Sequence, residues 1–301
     1  EKSPGILVYV GPKWVADYQP RPNLVTPEHL VQTPKFPVID VHCHWTMDQD
    51  PQEMIAAMDK AGVKQAINLS GGRGKQLDQI LEKFHRVAPD RFVIFCIPDF
   101  SRIEEPDFDR MMATFLENAH AKGVAGVKIH KGLGLGTKDS SGQLIAVDDP
   151  RLDAIWDKAG QLHMPVLIHT ADPVAFFQPV DRFNERWMQL ARHPDWSFHG
   201  PEYPDRDALL EQRNRVIQRH PNTIFIGAHV GNSAEDLQTI ASWLSQYPNL
   251  FVDIAGRVAE LGRQPYAARK FFLKYADRIL FGTDRFPGRT DQPRYSIYYR
   301  F

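Results

Sequence analysis

The chain has 301 residues, 43% of them hydrophobic, with 36 basic and 37 acidic side chains and a formal net charge of −1. That length can bury a large core, as one α/β barrel or as two smaller domains. No basic stripe follows a phosphate backbone and no run of about 18 apolar residues spans a membrane as a helix, so the expected partner is a small molecule, not nucleic acid or a membrane.

Residues 1–37 carry Pro4, Pro12, Pro20, Pro22, Pro27, Pro34 and Pro37 with little periodicity. They read as an extended arm lying across the surface before the first strand. Such an arm suits wrapping a neighbouring subunit, which makes a homo-oligomer one expectation; leading back to an export signal is the other. The chain opens on Glu1, so its start is expected to have been removed. Both a cytoplasmic and an exported protein stay open.

From residue 38, strand-like runs alternate with helix-period segments, the pattern of parallel β/α units. Strands are expected near 38–43, 64–69, 92–97, 124–129, 165–169, 223–229, 250–254 and 278–283. Helices are expected over 53–61, 75–87, 107–122, 151–161, 206–219, 234–246 and 264–275, with Ser233 and Asp236 as a capping box at one start. This count is that of a (β/α)8 TIM barrel over 38–301 with a long insertion, 170–205, after strand five; the runner-up is an open doubly wound sheet. After Asp284 the chain ends on Tyr295-Ser296-Ile297-Tyr298-Tyr299-Arg300-Phe301. That is read as too little for an eighth helix, so the barrel is expected to be incomplete at its C-terminus, with apolar surface bare between strands eight and one. Cys43 and Cys96 fall in buried strands and read as small core residues.

The chemistry lies at the strand ends. Val38-Ile39-Asp40-Val41-His42-Cys43-His44-Trp45 closes on two histidines at i and i+2, which share a strand face and can offer two imidazoles to one ion. Two more runs close on His169 and His229, and Arg278-Ile279-Leu280-Phe281-Gly282-Thr283-Asp284 closes on a carboxylate. Carboxyl ends of barrel strands are where such folds keep their chemistry. Imidazole and carboxylate donors suit a divalent transition metal, zinc first, with manganese or iron as alternatives. In a closed barrel strand eight lies beside strand one, so Asp284 can meet His42 and His44.

With these runs in order, the chain resembles the amidohydrolase superfamily, in the amidohydrolase-2 branch that includes metal-dependent lactonases and decarboxylases. The matching residues are Asp40-Val41-His42-Cys43-His44, Gly126-Val127-Lys128-Ile129-His130, Ile168-His169, Ala228-His229 and Gly282-Thr283-Asp284. The resemblance implies that His42, His44, His169 and Asp284 bind a catalytic metal. His229 falls where members carry either a second-metal ligand or an acid–base group, and Lys128 where some carry a carbamylated bridge. It implies a metal-dependent hydrolase of a lactone, ester or amide, or else a metal-dependent non-oxidative decarboxylase of a small carboxylated or aromatic substrate. Asp284 would hold a water and take its proton, and His229, where not a ligand, would polarise a carbonyl or protonate a leaving group.

Read physically, Lys128 is a bridge, a cation holding a substrate carboxylate, or a lysine paired with an internal acid. His130 reaches the same cavity or hydrogen-bonds backbone. Asp40 is a partner for a ligand imidazole or a buried acid capping backbone. Arg257 holds an anion or pairs with Asp253 or Glu260. Asp172, just past His169, is the loop candidate for substrate contact. The glycine-bearing loop 131–149 reads as a flexible cover and lacks a nucleotide fingerprint. The insertion's aromatics, among them Phe183 and Trp187, face an aromatic or carboxylated substrate or simply pack a helix on the rim.

Overall fold

A computed structural model describes residues 31–285 and 292–300, with 21, 23, 25 and 27. Most of the arm expected over 1–37 lies outside the described residues, and 31–37 carry no regular element.

Eight parallel strands follow in sequence order: β1 Val38–Cys43, β2 Val63–Asn68, β3 Phe92–Cys96, β4 Gly126–Ile129, β5 Val166–Ile168, β6 Phe225–Gly227, β7 Leu250–Asp253 and β8 Ile279–Leu280. Backbone bonds from Val41 N to Phe281 O (2.9 Å), Asp284 N to His42 O (2.7 Å) and His44 N to Arg285 O (2.9 Å) join the last strand to the first. The sheet therefore curls into a barrel, and the doubly wound alternative falls away, because its edge strands would be apart.

Alternation sorts the side chains. On β4 and β5, Val127, Ile129, Val166 and Ile168 face outward into the main core beneath the helices, while the paired Lys128 and Leu167 face the barrel axis. Leu69, Phe95, Leu167, Ile226 and Ala228 form a separate small apolar cluster. Gly126 makes room for it: a Cβ there would sit 2.4 Å from the Phe95 ring. Gly282 does the same for β8, where a Cβ would meet the His42 Cβ at 2.9 Å.

Helices Pro51–Ala61, Phe108–Ala121, Asp153–Gln161, Arg206–Arg219 and Pro265–Lys274 answer the expected segments. The segment at 75–87 divides into an α-helix, Gly74–Ile80, and a π-turn, Leu81–His85, and the His85 ring donates to the Phe92 carbonyl at 2.9 Å. The capping box is corrected: helix Leu237–Gln246 begins later, and Asp236 itself accepts from Gln238 N and Thr239 N.

The bare seam between strands eight and one is also corrected. Residues Gln292–Arg300 form a helix. Tyr295, Tyr298 and Tyr299 lay their rings around Phe281 at 5.6–6.4 Å. The Tyr299 hydroxyl donates to Ala61 O at 2.7 Å and Tyr295 to Asp40 Oδ2 at 3.0 Å. Three phenol rings thus do the covering expected of aliphatic side chains, each with its polar tip satisfied.

Candidate metal centre at the barrel mouth

His42 is 1% exposed, and its Nδ1 lies 2.9 Å from Asp253 Oδ2. An ionised carboxylate only accepts, so Nδ1 carries the hydrogen and Nε2 a lone pair. Burial lowers the His42 pKa against the pull of Asp253, which keeps that lone pair bare. Nε2 is buried with no hydrogen-bond partner among the described residues. Asp284 Oδ1 lies 3.4 Å from it and 3.2 Å from His44 Nε2, while His44 Nδ1 rests 2.7 Å from Ser70 Oγ. The ligand atoms of His42, His44 and Asp284 fall within 4.8 Å of one another. Electron pairs converging like this repel unless a proton or cation sits among them. Two nitrogens and an oxygen held this way fit a divalent metal.

Asp253 organises the floor. Its Oδ2 takes the His42 hydrogen, and its Oδ1 accepts from His229 N and Ala255 N, each at 3.0 Å. Burial pushes its pKa up, but His42 and His229 outweigh it and hold the carboxylate well below the usual range. Sequence reasoning considered Asp253 only as an Arg257 partner. Its signal was available: it ends β7 as the other candidate residues end theirs. Ser70, just past β2, was missed altogether.

Across the mouth, His229, Val230, Gly231 and Asn232 run through the left-handed region at φ 60°, 57°, 59° and 55°; Ala171 and Asp284 also have φ near 60°. For residues other than glycine this costs about 1–2 kcal/mol each, and such strain persists where surroundings over-determine it. They do so here. Asn232 Nδ2 donates to Thr170 O (2.8 Å) and Ala171 O (3.1 Å), and Arg257 Nη2 donates to Asn232 Oδ1 (2.8 Å). His229 Nδ1 donates to Ala255 O at 2.7 Å, which leaves its Nε2 as an acceptor. Burial and the nearby Arg257 cation hold its pKa well below 6.5. Its ring centroid is 4.7 Å from that of His42 and 4.5 Å from that of His169.

His169 is turned differently. Its Nε2 faces Asp172 Oδ1 at 3.4 Å, and burial lowers its pKa to about 4 despite that carboxylate. Among the described residues the three-membered ligand groups are His42–His44–Asp284 and His42–His229–Asp253; His169 joins neither. Asp172 is 5% exposed and accepts from Lys131 Nζ at 2.5 Å. Its carboxylate, expected to meet substrate, is engaged by Lys131 and His169.

Lys128 is 1% exposed, its Nζ has no partner, and burial brings its pKa down to about 8. Pairing with an internal acid is thereby corrected: among the described residues no acid contacts it, and Asp253 and Asp284 act on it only at longer range. His130 is exposed, with its ring 6.4 Å from that of His44. Of the two readings of Asp40, the buried acid capping backbone holds. It touches no ligand imidazole but accepts from His42 N, Thr283 N, Thr283 Oγ1 and Tyr295, because β1 breaks register between Asp40 and Cys43 and the two-residue alternation fails there. Burial raises its pKa to about 6. Arg257 pairs with neither Asp253 nor Glu260: it donates to Asn232 Oδ1 and Gly256 O, its Nε has no partner among the described residues, and Glu260 is taken by Arg186.

The loop 131–149 is no loose cover. Leu133, Leu135, Ile145 and Val147 are buried in the core, so apolar side chains anchor it. In the insertion, Phe176 packs on Trp196 and Phe177 on Phe198, the rim-packing reading, whereas Phe183 is 78% exposed.

The amidohydrolase family model Amidohydro_2 matches residues 39–299. Several solved structures share the fold. A dihydroxybenzoic acid decarboxylase from Polaromonas sp. JS666, with bound manganese and the inhibitor 2-nitroresorcinol, superposes with a TM-score of 0.56 at 14% identity, covering 88% of this chain and 90% of that one. A dihydroorotase from Campylobacter jejuni gives 0.51 at 14% identity, over 83% and 70% of the two chains. An amidohydrolase from Burkholderia multivorans with bound zinc gives 0.51 at 14% identity, over 82% and 84%. At such identities these likenesses speak for the barrel alone. No curated protein sequence matches the chain significantly.

Proposed function

The chain belongs to the Amidohydro_2 family of amidohydrolases, and from that premise we propose that it is a metal-dependent hydrolase of a lactone, ester or amide bond. The observation that carries this is the bare, buried Nε2 of His42 converging with His44 Nε2 on Asp284 Oδ1. His42, His44 and Asp284 would hold the ion, with His169 as the fourth expected ligand. A divalent cation bound there, zinc or else manganese or iron, supplies Lewis acidity that acidifies water and polarises a carbonyl.

The chain's own residues do the rest. Asp284, 40% exposed, opens onto the mouth and stays ionised, because the neighbouring imidazoles of His44, His229 and His42 outweigh the upward push of burial. It is the proton acceptor for an attacking water. His229, with its hydrogen committed at Nδ1 to Ala255 O, presents Nε2 as a second acceptor, so it serves first as base or ligand and becomes a proton donor only after taking a proton there. Lys128 and His130 line the approach from β4. The Lys128 ammonium, buried without a partner, suits an anionic group on the substrate.

That same lysine supports the second reading, a non-oxidative decarboxylase. A substrate carboxylate held by Lys128 would lose carbon dioxide, and the carbanion would take a proton from His229 after that imidazole had accepted one from solvent at Nε2, in place of water attack. The test is a panel of lactones, esters and aromatic carboxylates with zinc- or manganese-loaded protein, following acid release and carbon dioxide separately. Acid release alone supports hydrolysis; carbon dioxide without acid release overturns it for the decarboxylase. Neither from a broad panel counts against both.

A further inference from the structure

A second cavity opens on the rim, away from the ligand cluster. It measures about 590 Å³ and is bounded by Val174, Phe183, Glu185, Glu235, Glu260 and Arg263, from the insertion after β5 and the segments after β6 and β7. We infer that this cavity binds a small organic cation, an alkyl or aryl group ending in an ammonium or guanidinium.

Two carboxylate oxygens carry the inference. Glu260 is 2% exposed; one oxygen meets Arg186, and the other, Oε2, is buried with no partner among the described residues. Glu235 accepts from Val174 N through Oε1 at 3.1 Å, and its Oε2 is likewise buried and unpartnered. Buried carboxylate oxygens seldom lack a donor, and each unsatisfied one asks for a missing group. The charges agree. Glu185 is neutralised by Arg263 at 2.6 Å and Glu260 by Arg186, which leaves the Glu235 charge without a contacting cation among the described residues. Arg257 lies close enough to feel Glu235, yet its Nη hydrogens go to Asn232 and Gly256, and its Nε meets no acceptor among the described residues.

The walls choose the kind of cation. Among the described residues no three-membered ligand group includes Glu235 or Glu260, which disfavours a metal ion. Val174, Ala175 and the exposed Phe183 ring offer apolar surface for the body of an amine. The cation belongs either to a separate ligand or to the far end of a substrate reaching over the rim, since Val174 follows Asp172 by two residues and Glu260 follows Arg257 by three.

The test uses the full chain treated with chelator, so it stands independently of the metal reading. Benzylamine, benzamidine and neutral benzyl alcohol are titrated by calorimetry into the native protein, Glu235→Gln and Glu260→Gln, with melting curves as a check on folding. Gln at 235 keeps an acceptor for Val174 N, so that variant is expected to fold. Binding of both cations but not the alcohol, weakened about tenfold or more by Glu235→Gln, is the expected result. Equal binding of cation and alcohol, indifference to Glu235→Gln in a folded variant, or no binding at about 10 mM overturns the inference. A further arm compares hexylamine with 6-aminohexanoate. A gain from the added carboxylate that disappears in Lys128→Met assigns the cation to a substrate end, and equal affinities assign it to a separate ligand.

Discussion

The two sides of the barrel mouth are built on opposite terms. On the β1–β8 side, His42, His44 and Asp284 stand on strands stitched by backbone bonds, and each histidine has its second nitrogen engaged, by Asp253 and by Ser70. On the β5 side, His169 heads the 170–205 insertion and is turned by a chain of ions, Asp172 and then Lys131, whose side chain is 35% exposed. The first side is preorganised: its donors already point at one place. The second must turn, since His169 has to leave Asp172 to join the cluster. Outer partners fix the orientation and tautomer of a ligand imidazole, so the first side is expected to set metal affinity and the second to tune it.

The largest effect should come from His42→Ala. Metal affinity should fall by more than the roughly 100-fold typical of removing an outer partner, read by competition with a chromophoric chelator. Retention of near-native affinity would break the comparison outright. Asp253→Asn should cost about 10–100-fold. An amide has one acceptor oxygen, so it cannot serve His42 Nδ1 together with both His229 N and Ala255 N. An unchanged affinity would mean that the floor orients nothing.

The third prediction concerns pH. The folded His169 pKa is lowered from 6.5 to about 4, so between those values the unfolded chain binds a proton that the folded one does not. Stability of the chelated protein should therefore fall with acid through that window, by up to about 3 kcal/mol for this group. Asp40 works the other way: its folded pKa, raised from 3.8 to about 6, makes stability fall as pH rises across that range. His169→Gln should reduce the acid-side loss, part of which His42 and His229 retain because burial lowers them too, and leave the Asp40 contribution; urea melts at pH 4.5 and 7 would show it. The smallest effect should be that of Lys131→Met. A partly exposed ion pair is worth about 0.2–1 kcal/mol, so metal affinity should shift by no more than about fivefold. A larger shift would show that the β5 side is as preorganised as its opposite.

Much of this was legible in the sequence. The eight strands and the order of the ligand-bearing ends were readable because each buried parallel strand is a short apolar run with its polar residue at the carboxyl end. What escaped depends on three-dimensional register. Asp40 and His42 are two apart, yet a break in β1 sends Asp40 to Thr283 and Tyr295. Asp172 looked available, because its partner Lys131 lies 41 positions away in sequence. The left-handed run at His229–Asn232 gives no signal when it includes a β-branched valine, since local preference argues against it. The final helix was missed because its tyrosines do not show an aliphatic stripe.

The most direct test of the central claim is elemental analysis of the purified protein, before and after chelation and after reconstitution with zinc or manganese. The account expects about one transition-metal atom per chain, lost to chelator and restored by reconstitution, and absent in His42→Ala. No metal after reconstitution would contradict the metal-dependent reading, and about two per chain, with Lys128 drawn in as a bridge, would contradict the single site at His42, His44 and Asp284.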